Sequence, residues 1–141
     1  MKHLLSFLCF YLFITPLFAQ NCVPATTITV PGIYADGLDT AIVDEPYEAT
    51  IHVLALSDTN VVFSGSEITA LIDSVRLDTV LGLPNGFTYA CEPPSCIFTS
   101  EAVGCLKLSG NPVLSDKGVH PLNIKTTAFA RWGALRLPVR D

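Results

Sequence analysis

Three cysteines, Cys91, Cys96 and Cys105, lie inside one stretch, Gly82 to Gly110, that reads GLPNGFTYACEPPSCIFTSEAVGCLKLSG. The stretch also holds two turn signals, Asn85-Gly86 and Pro93-Pro94, and three apolar runs of strand length. Short arms bent back on one another and clamped by disulfides are what such a pattern builds.

Whether the thiols oxidise depends on the compartment, and the first residues address that. Lys2 and His3 precede an apolar run from Leu4 to Ile14 that ends at Pro16-Leu17-Phe18-Ala19. This is the pattern of a secretory signal peptide over residues 1–19, cleaved after Ala19. The run is shorter than the roughly 20 residues that span a bilayer as a helix. Cys9 sits within the apolar part and Cys22 follows Gln20-Asn21, which speaks against a lipoprotein anchor. Export from the cell is the expected localisation, and no transmembrane segment is expected in the remainder.

Removing residues 1–19 leaves 122 residues with four cysteines, Cys22, Cys91, Cys96 and Cys105, an even set with three possible pairings. Two disulfides are expected in an oxidising compartment, and the spacing matches neither a zinc site nor a redox CxxC. The preferred pairing is Cys96 with Cys105 and Cys22 with Cys91. Cys91 with Cys96 competes, because Pro93-Pro94 already bends the segment between them. Of eight Lys+Arg, Lys2 leaves with the signal, so seven stand against thirteen Asp+Glu, a net charge of -6. That balance argues against nucleic acid, which calls for a basic stripe, and against an anionic membrane surface. The length is enough for one domain, residues 20–141, with a core of its own.

Strand signals follow in chain order. Thr26 to Val30 reads as a first edge strand, closed by Pro31-Gly32 and Asp36-Gly37. From Tyr47 to Leu56, Tyr47, Ala49, Ile51, Val53 and Ala55 share one face against Glu48, Thr50 and His52, a half-buried strand. Ser57 to Asn60 reads as a turn. The segment from Ser66 is ambiguous: Ile68, Leu71, Ile72 and Val75 recur at helical spacing, whereas Val75, Leu77, Thr79 and Leu81 alternate. A turn or short helical piece over 65–70 and a strand from Ile72 to Leu81 are expected. After Asn85-Gly86, Phe87, Tyr89 and Cys91 share a face; Cys96 to Phe98 is a return arm; Cys105 to Leu108 is a third arm with Leu106 and Leu108 pointing together. Val119 to Ala128 is a further strand, and Arg131 to Leu137 either one more strand or a tail. Six to eight short strands with turn markers every 8 to 12 residues describe an all-β antiparallel sandwich.

Motifs with chemistry are scarce. His52 lies in mid-strand on the polar face and His120 beside Pro121; neither has a partner at motif spacing, and no GxSxG, HExxH or phosphate loop occurs. Glu67, Glu92 and Glu101 supply carboxylates at turns, which a glycosidase would need to face one another across a cleft. Asp36, Asp39, Asp44 and Glu45 have oxygens for calcium but not the spacing of an EF-hand loop. Most aromatics fall on inward positions, leaving Tyr34 and Trp132 as exposed contacts. No catalytic, cofactor-binding or metal residue is assigned, and no cofactor.

The residues Pro46-Tyr47-Glu48-Ala49-Thr50-Ile51, Gly82-Leu83-Pro84-Asn85-Gly86-Phe87, Leu108-Ser109-Gly110-Asn111-Pro112 and Gly118-Val119-His120-Pro121-Leu122-Asn123-Ile124 occur in this order. Together they resemble the immunoglobulin-like domains of the cadherin-like and dystroglycan-like group, and the version with TYACEPPSC is similar to domains of secreted and surface proteins of Bacteroidetes. The resemblance spans about residues 24 to 128. Asn111 stands where the group commonly has Thr, and His120 where the last strand commonly begins with Tyr. The resemblance implies an immunoglobulin-like (cadherin-like) sandwich with an incomplete last strand, acting without catalysis as an extracellular adhesion or ligand-binding module for a glycan or protein. Such a module would use the loops Gly32 to Glu45 and Cys91 to Gly104. A small secreted carbohydrate-active enzyme or its accessory domain, and a structural spacer in an envelope assembly, are the alternatives.

Overall fold

The structure is a computed structural model that describes residues 22–35, 38–133 and 135–140; the expected signal peptide, Met1–Ala19, and Asp36 lie outside them. Nine strands occur among the described residues: β1 (Gly32–Tyr34), β2 (Tyr47–Leu54), β3 (Asp58–Phe63), β4 (Ser66–Leu81), β5 (Thr88–Glu92), β6 (Ile97–Phe98), β7 (Gly104–Gly110), β8 (Asn123–Trp132) and β9 (Leu135–Arg140). Every pairing is antiparallel. One sheet has the order β1-β2-β7-β5 and the other β3-β4-β8-β9, with β6 also paired to β4. The chain is therefore an all-antiparallel, two-sheet β structure.

The main core lies between the sheets. Ile51, Cys91, Leu106 and Leu108 come from the first sheet and Leu77 and Val80 from the second, with Phe98 of β6 among them. Alternation along β7 puts Leu106 and Leu108 inward together, as expected, and both are almost wholly buried. Gly104 and Gly110 share that parity. A Cβ on Gly104 would collide with the Phe98 ring, and one on Gly110 would lie 2.5 Å from the Phe87 ring. Each end of the central strand thus carries a glycine because an aromatic ring occupies the space of its side chain.

The disulfides are Cys22–Cys105 and Cys91–Cys96, with Cα–Cα distances of 6.1 and 5.2 Å. The expected pairs Cys96–Cys105 and Cys22–Cys91 are corrected, and strand parity is the reason. Cys91 stands opposite Leu106 and faces the core, whereas Cys105 stands opposite His52 on the outer face. Cys91 reaches inward to Cys96, whose carbonyl accepts from the Leu77 amide of the other sheet at 2.9 Å. Cys105 is met on the outside by Cys22. Cys96 to Phe98 is accordingly not an arm returning onto β5; it crosses to β4, pairing Val75 with Phe98 and Arg76 with Ile97.

The same outer tether displaces the expected first strand. Thr26 to Val30 forms no ladder; Thr26-Thr27 is a turn, and the first strand is Gly32–Tyr34. The Ala25 amide donates instead to His52 Nδ1 at 3.3 Å, a bond between segments and not between strands. The expected turn over Ser57 to Asn60 also moves, since Asp58 already pairs with Leu71 in β3.

β4 resolves the ambiguous segment as sixteen continuous residues of strand, with no helical piece over 65–70. Ser64 and Gly65 have φ of 50° and 80°, and Phe63 pairs with Ser66 across them, so a two-residue hairpin turn sets the register. Register shifts against β8 fall between Ile72 and Ser74 and between Leu77 and Thr79. Each shift adds one residue, so the inward positions run Ile68, Ala70, Ile72, then Val75, Leu77, then Val80. Spacings of two broken by spacings of three imitate a helical stripe. β8 likewise begins at Asn123 and not Val119, and the tail alternative gives way to β9.

A candidate ligand cleft at one end of the two sheets

Three connections meet where β2 begins and β7 ends: residues 38–46, the turn Pro84 to Phe87, and residues 111–122. They enclose a cleft of about 690 Å³, within the size range of small-ligand pockets. The loop before β2 is pinned by the Asp44 amide donating to the Pro112 carbonyl at 3.0 Å and by the Glu45 amide donating to Ile42 O at 3.1 Å. Opposite it, a short 3-10 turn, Leu114–Asp116, is held by the Val113 amide donating to Asp116 Oδ2 at 2.9 Å. His120 Nε2 lies 2.7 Å from the Asp116 carbonyl, and because a carbonyl only accepts, that nitrogen carries the proton.

The cleft is mostly apolar. Tyr47 and Phe87 form its aromatic pair, ring centroids 5.8 Å apart and planes tilted by 47°, and Leu83, Leu108 and Leu122 also line it. Apolar side chains continue onto the rim, where Leu38, Val43, Val113 and Val119 are exposed, Val119 almost fully at 95%. Asp39, Asp116, Lys117 and His120 are the charged or titratable groups that line the space together with the Tyr47 phenol. Burial, and then the negative charge of Asp39, raise the Tyr47 pKa above its ordinary value, so the phenol is a neutral donor at physiological pH.

A smaller apolar cavity, about 240 Å³, opens at the other end between the sheets, beside Val53, Leu77, Phe98, Leu106 and Ile124. Only Thr126 among its lining residues has a polar side chain.

Of the two loops expected to capture a ligand, Gly32 to Glu45 contributes Leu38 to Ala41 and Val43 to the larger cleft, but Cys91 to Gly104 lies at the opposite ends of β5 and β7. The turn Pro84 to Phe87 and the segment 112–122 take its place. Tyr34, whose hydroxyl donates to Val30 O at 2.8 Å, and Trp132 line neither space. The aromatics of the cleft are Tyr47 and Phe87, which alternation assigns to the interior. The signal for them was present in the turn residues beside each. His52 accepts from Ala25 and is half-buried, not exposed. Glu67 lies in β4, Glu92 ends β5, and Glu101 precedes β7. Asp39 lines the cleft while Asp44 and Glu45 flank it, and among the described residues no three His, Cys, Asp or Glu are grouped to hold a metal ion. Nor is any helix among them long and apolar enough to cross a membrane.

No protein-family model matches the sequence, and neither curated proteins nor solved structures give a match.

Proposed function

We propose that the chain is a secreted immunoglobulin-like module of the cadherin-like type, and that it binds an extracellular ligand without catalysis, in the cleft between residues 38–46, 84–87 and 111–122. The observation that carries this reading is the cleft itself, about 690 Å³ with an aromatic pair and an exposed apolar rim. Apolar surface of this kind on a loop-built concavity is costly to leave in water and marks a site of association. The motif order supports the immunoglobulin-like part of the reading. Tyr47 opens β2, Gly82 to Phe87 carries the chain from one sheet to the other, Gly110 to Pro112 ends β7, and Gly118 to Leu122 leads into β8. Two disulfides accord with life outside the cell.

Parallel glycan and peptide arrays, probed with the chain from residue 20 onward in its oxidised form, test the reading. Binding should be lost in Val119→Lys, which places a charge on the rim at a residue too exposed to matter for folding. Array hits that ignore this substitution, or none at all, would dismiss the cleft as the site.

A further inference from the structure

The cleft combines an apolar interior with an uneven distribution of charge. Asp39 and Asp116 line it and Asp44 and Glu45 flank it, against Lys117 as the one cation in the lining. Among the described residues none of these four carboxylates is in an ion pair; the ion pairs present use Asp78, Glu48 and Asp73. The mouth therefore has negative charge to spare on a chain that is acidic as a whole. The two aromatic rings are half-buried and tilted by 47° to one another, so they do not form a coplanar platform. Instead they join Leu83, Leu108 and Leu122 to line a slot suited to aliphatic groups.

We infer that the occupant of this cleft is a cationic apolar peptide segment, an aliphatic side chain entering between Tyr47, Phe87 and Leu108 while neighbouring Lys or Arg side chains meet Asp39 and Asp116. This inference rests on the cleft being the ligand site, as proposed above, and narrows the ligand to a protein partner. The apolar anchor supplies affinity, and the rim carboxylates select the sign of the partner's charge and speed encounter.

A random heptapeptide library selected on the immobilised, disulfide-intact chain, with Val119→Lys and Asp39→Asn in parallel, tests it. Selected peptides should pair Leu, Ile or Val with Lys or Arg and should be lost on Val119→Lys. Their affinity should fall about two- to fivefold on Asp39→Asn, the range of a partly exposed ion pair, and should weaken between about 0.05 and 0.5 M salt. Thermal melting of both variants verifies that they fold. Acidic or uncharged peptides that still depend on Val119 would overturn the cationic assignment and leave the cleft as the site. Failure to enrich any Val119-dependent peptide would overturn the peptide assignment, and the glycan array then decides the cleft reading by itself.

Discussion

Gly104 and Gly110 bracket β7, and each yields its side-chain space to a phenylalanine ring, Phe98 of β6 and Phe87 from the turn before β5. Neither glycine has a positive φ, so the requirement is spatial and not conformational. Gly110→Ala must displace the Phe87 ring, and overpacking of this kind costs about 1–3 kcal/mol. Urea unfolding should show that loss with an unchanged slope, and a neutral Gly110→Ala would mean that the ring moves aside freely. Thr127, almost completely buried, donates its hydroxyl proton to Asp78 Oδ2 at 2.6 Å, and Arg76 Nε donates to the other oxygen of the same carboxylate at 2.8 Å. Thr127→Val should therefore cost about 1 kcal/mol, the net value of one hydrogen bond, because Asp78 is exposed and keeps Arg76 as a partner. Tyr47 sets a pH dependence. Its pKa is raised in the folded chain, first by burial and then by Asp39, so the folded state holds the phenol proton more tightly than the unfolded one. The associated stability is complete below about pH 10 and disappears as pH rises through the raised value. Melting temperatures taken from about pH 8.5 to 11.5 should fall more steeply for the native chain than for Tyr47→Phe. Parallel curves would show that the phenol contributes nothing.

At the scale of elements, the disulfides act on loops of very different length. Cys22–Cys105 spans 83 residues of sequence and Cys91–Cys96 only five. Loop-closure entropy assigns about 4–5 kcal/mol to the first and about 2 kcal/mol to the second. The pair Cys22→Ser/Cys105→Ser should accordingly lower the urea midpoint more than Cys91→Ser/Cys96→Ser; the reverse order would mean that the inward bridge between the sheets matters more than chain entropy. The parity that puts Cys91 and Cys105 on opposite faces is present in the sequence. Leu106 and Leu108 point inward together, so Cys105 points outward, and Cys91 shares the inward face of Phe87 and Tyr89. What the linear pattern lacks is the path of the N-terminal segment over the outer face, where the Ala25 amide meets His52. β4 was legible only in part for a similar reason. Its two register shifts change the spacing of inward residues from two to three, and neither shift leaves a Gly or Pro in the sequence to announce it.

On the scale of the whole molecule, the two core clusters differ in size. Ile51, Leu77, Val80, Cys91, Phe98, Leu106 and Leu108 make the larger, whereas Ala70, Ile72 and Ala130 make a small one under the first half of β4. Local opening requires less energy where fewer apolar groups are buried. Amide exchange should be slowest in β7 and measurably faster in β3 and in β4 before Ile72; uniform protection would refute that division. The ligand cleft belongs to the same scale, because its lining comes from segments more than 80 positions apart in the sequence, Leu38 and Leu122 among them. Half of the candidate site was legible as the turn-rich loop before Tyr47. The other half, expected at Cys91 to Gly104 as a turn-rich acidic loop at strand ends, is formed instead by residues 84–87 and 112–122, because Cys91 to Gly104 lies at the opposite end of β5 and β7. By itself the sequence determined the antiparallel β architecture, the Asn85-Gly86 turn, the inward faces of β2 and β7 and the presence of disulfides, since period, turn chemistry and cysteine parity are local properties of a chain. Only the tertiary structure decided the disulfide partners, the bulged course of β4 and the meeting of three loops around Tyr47 and Phe87, because each depends on which sheet, and which end of it, a segment reaches after it turns.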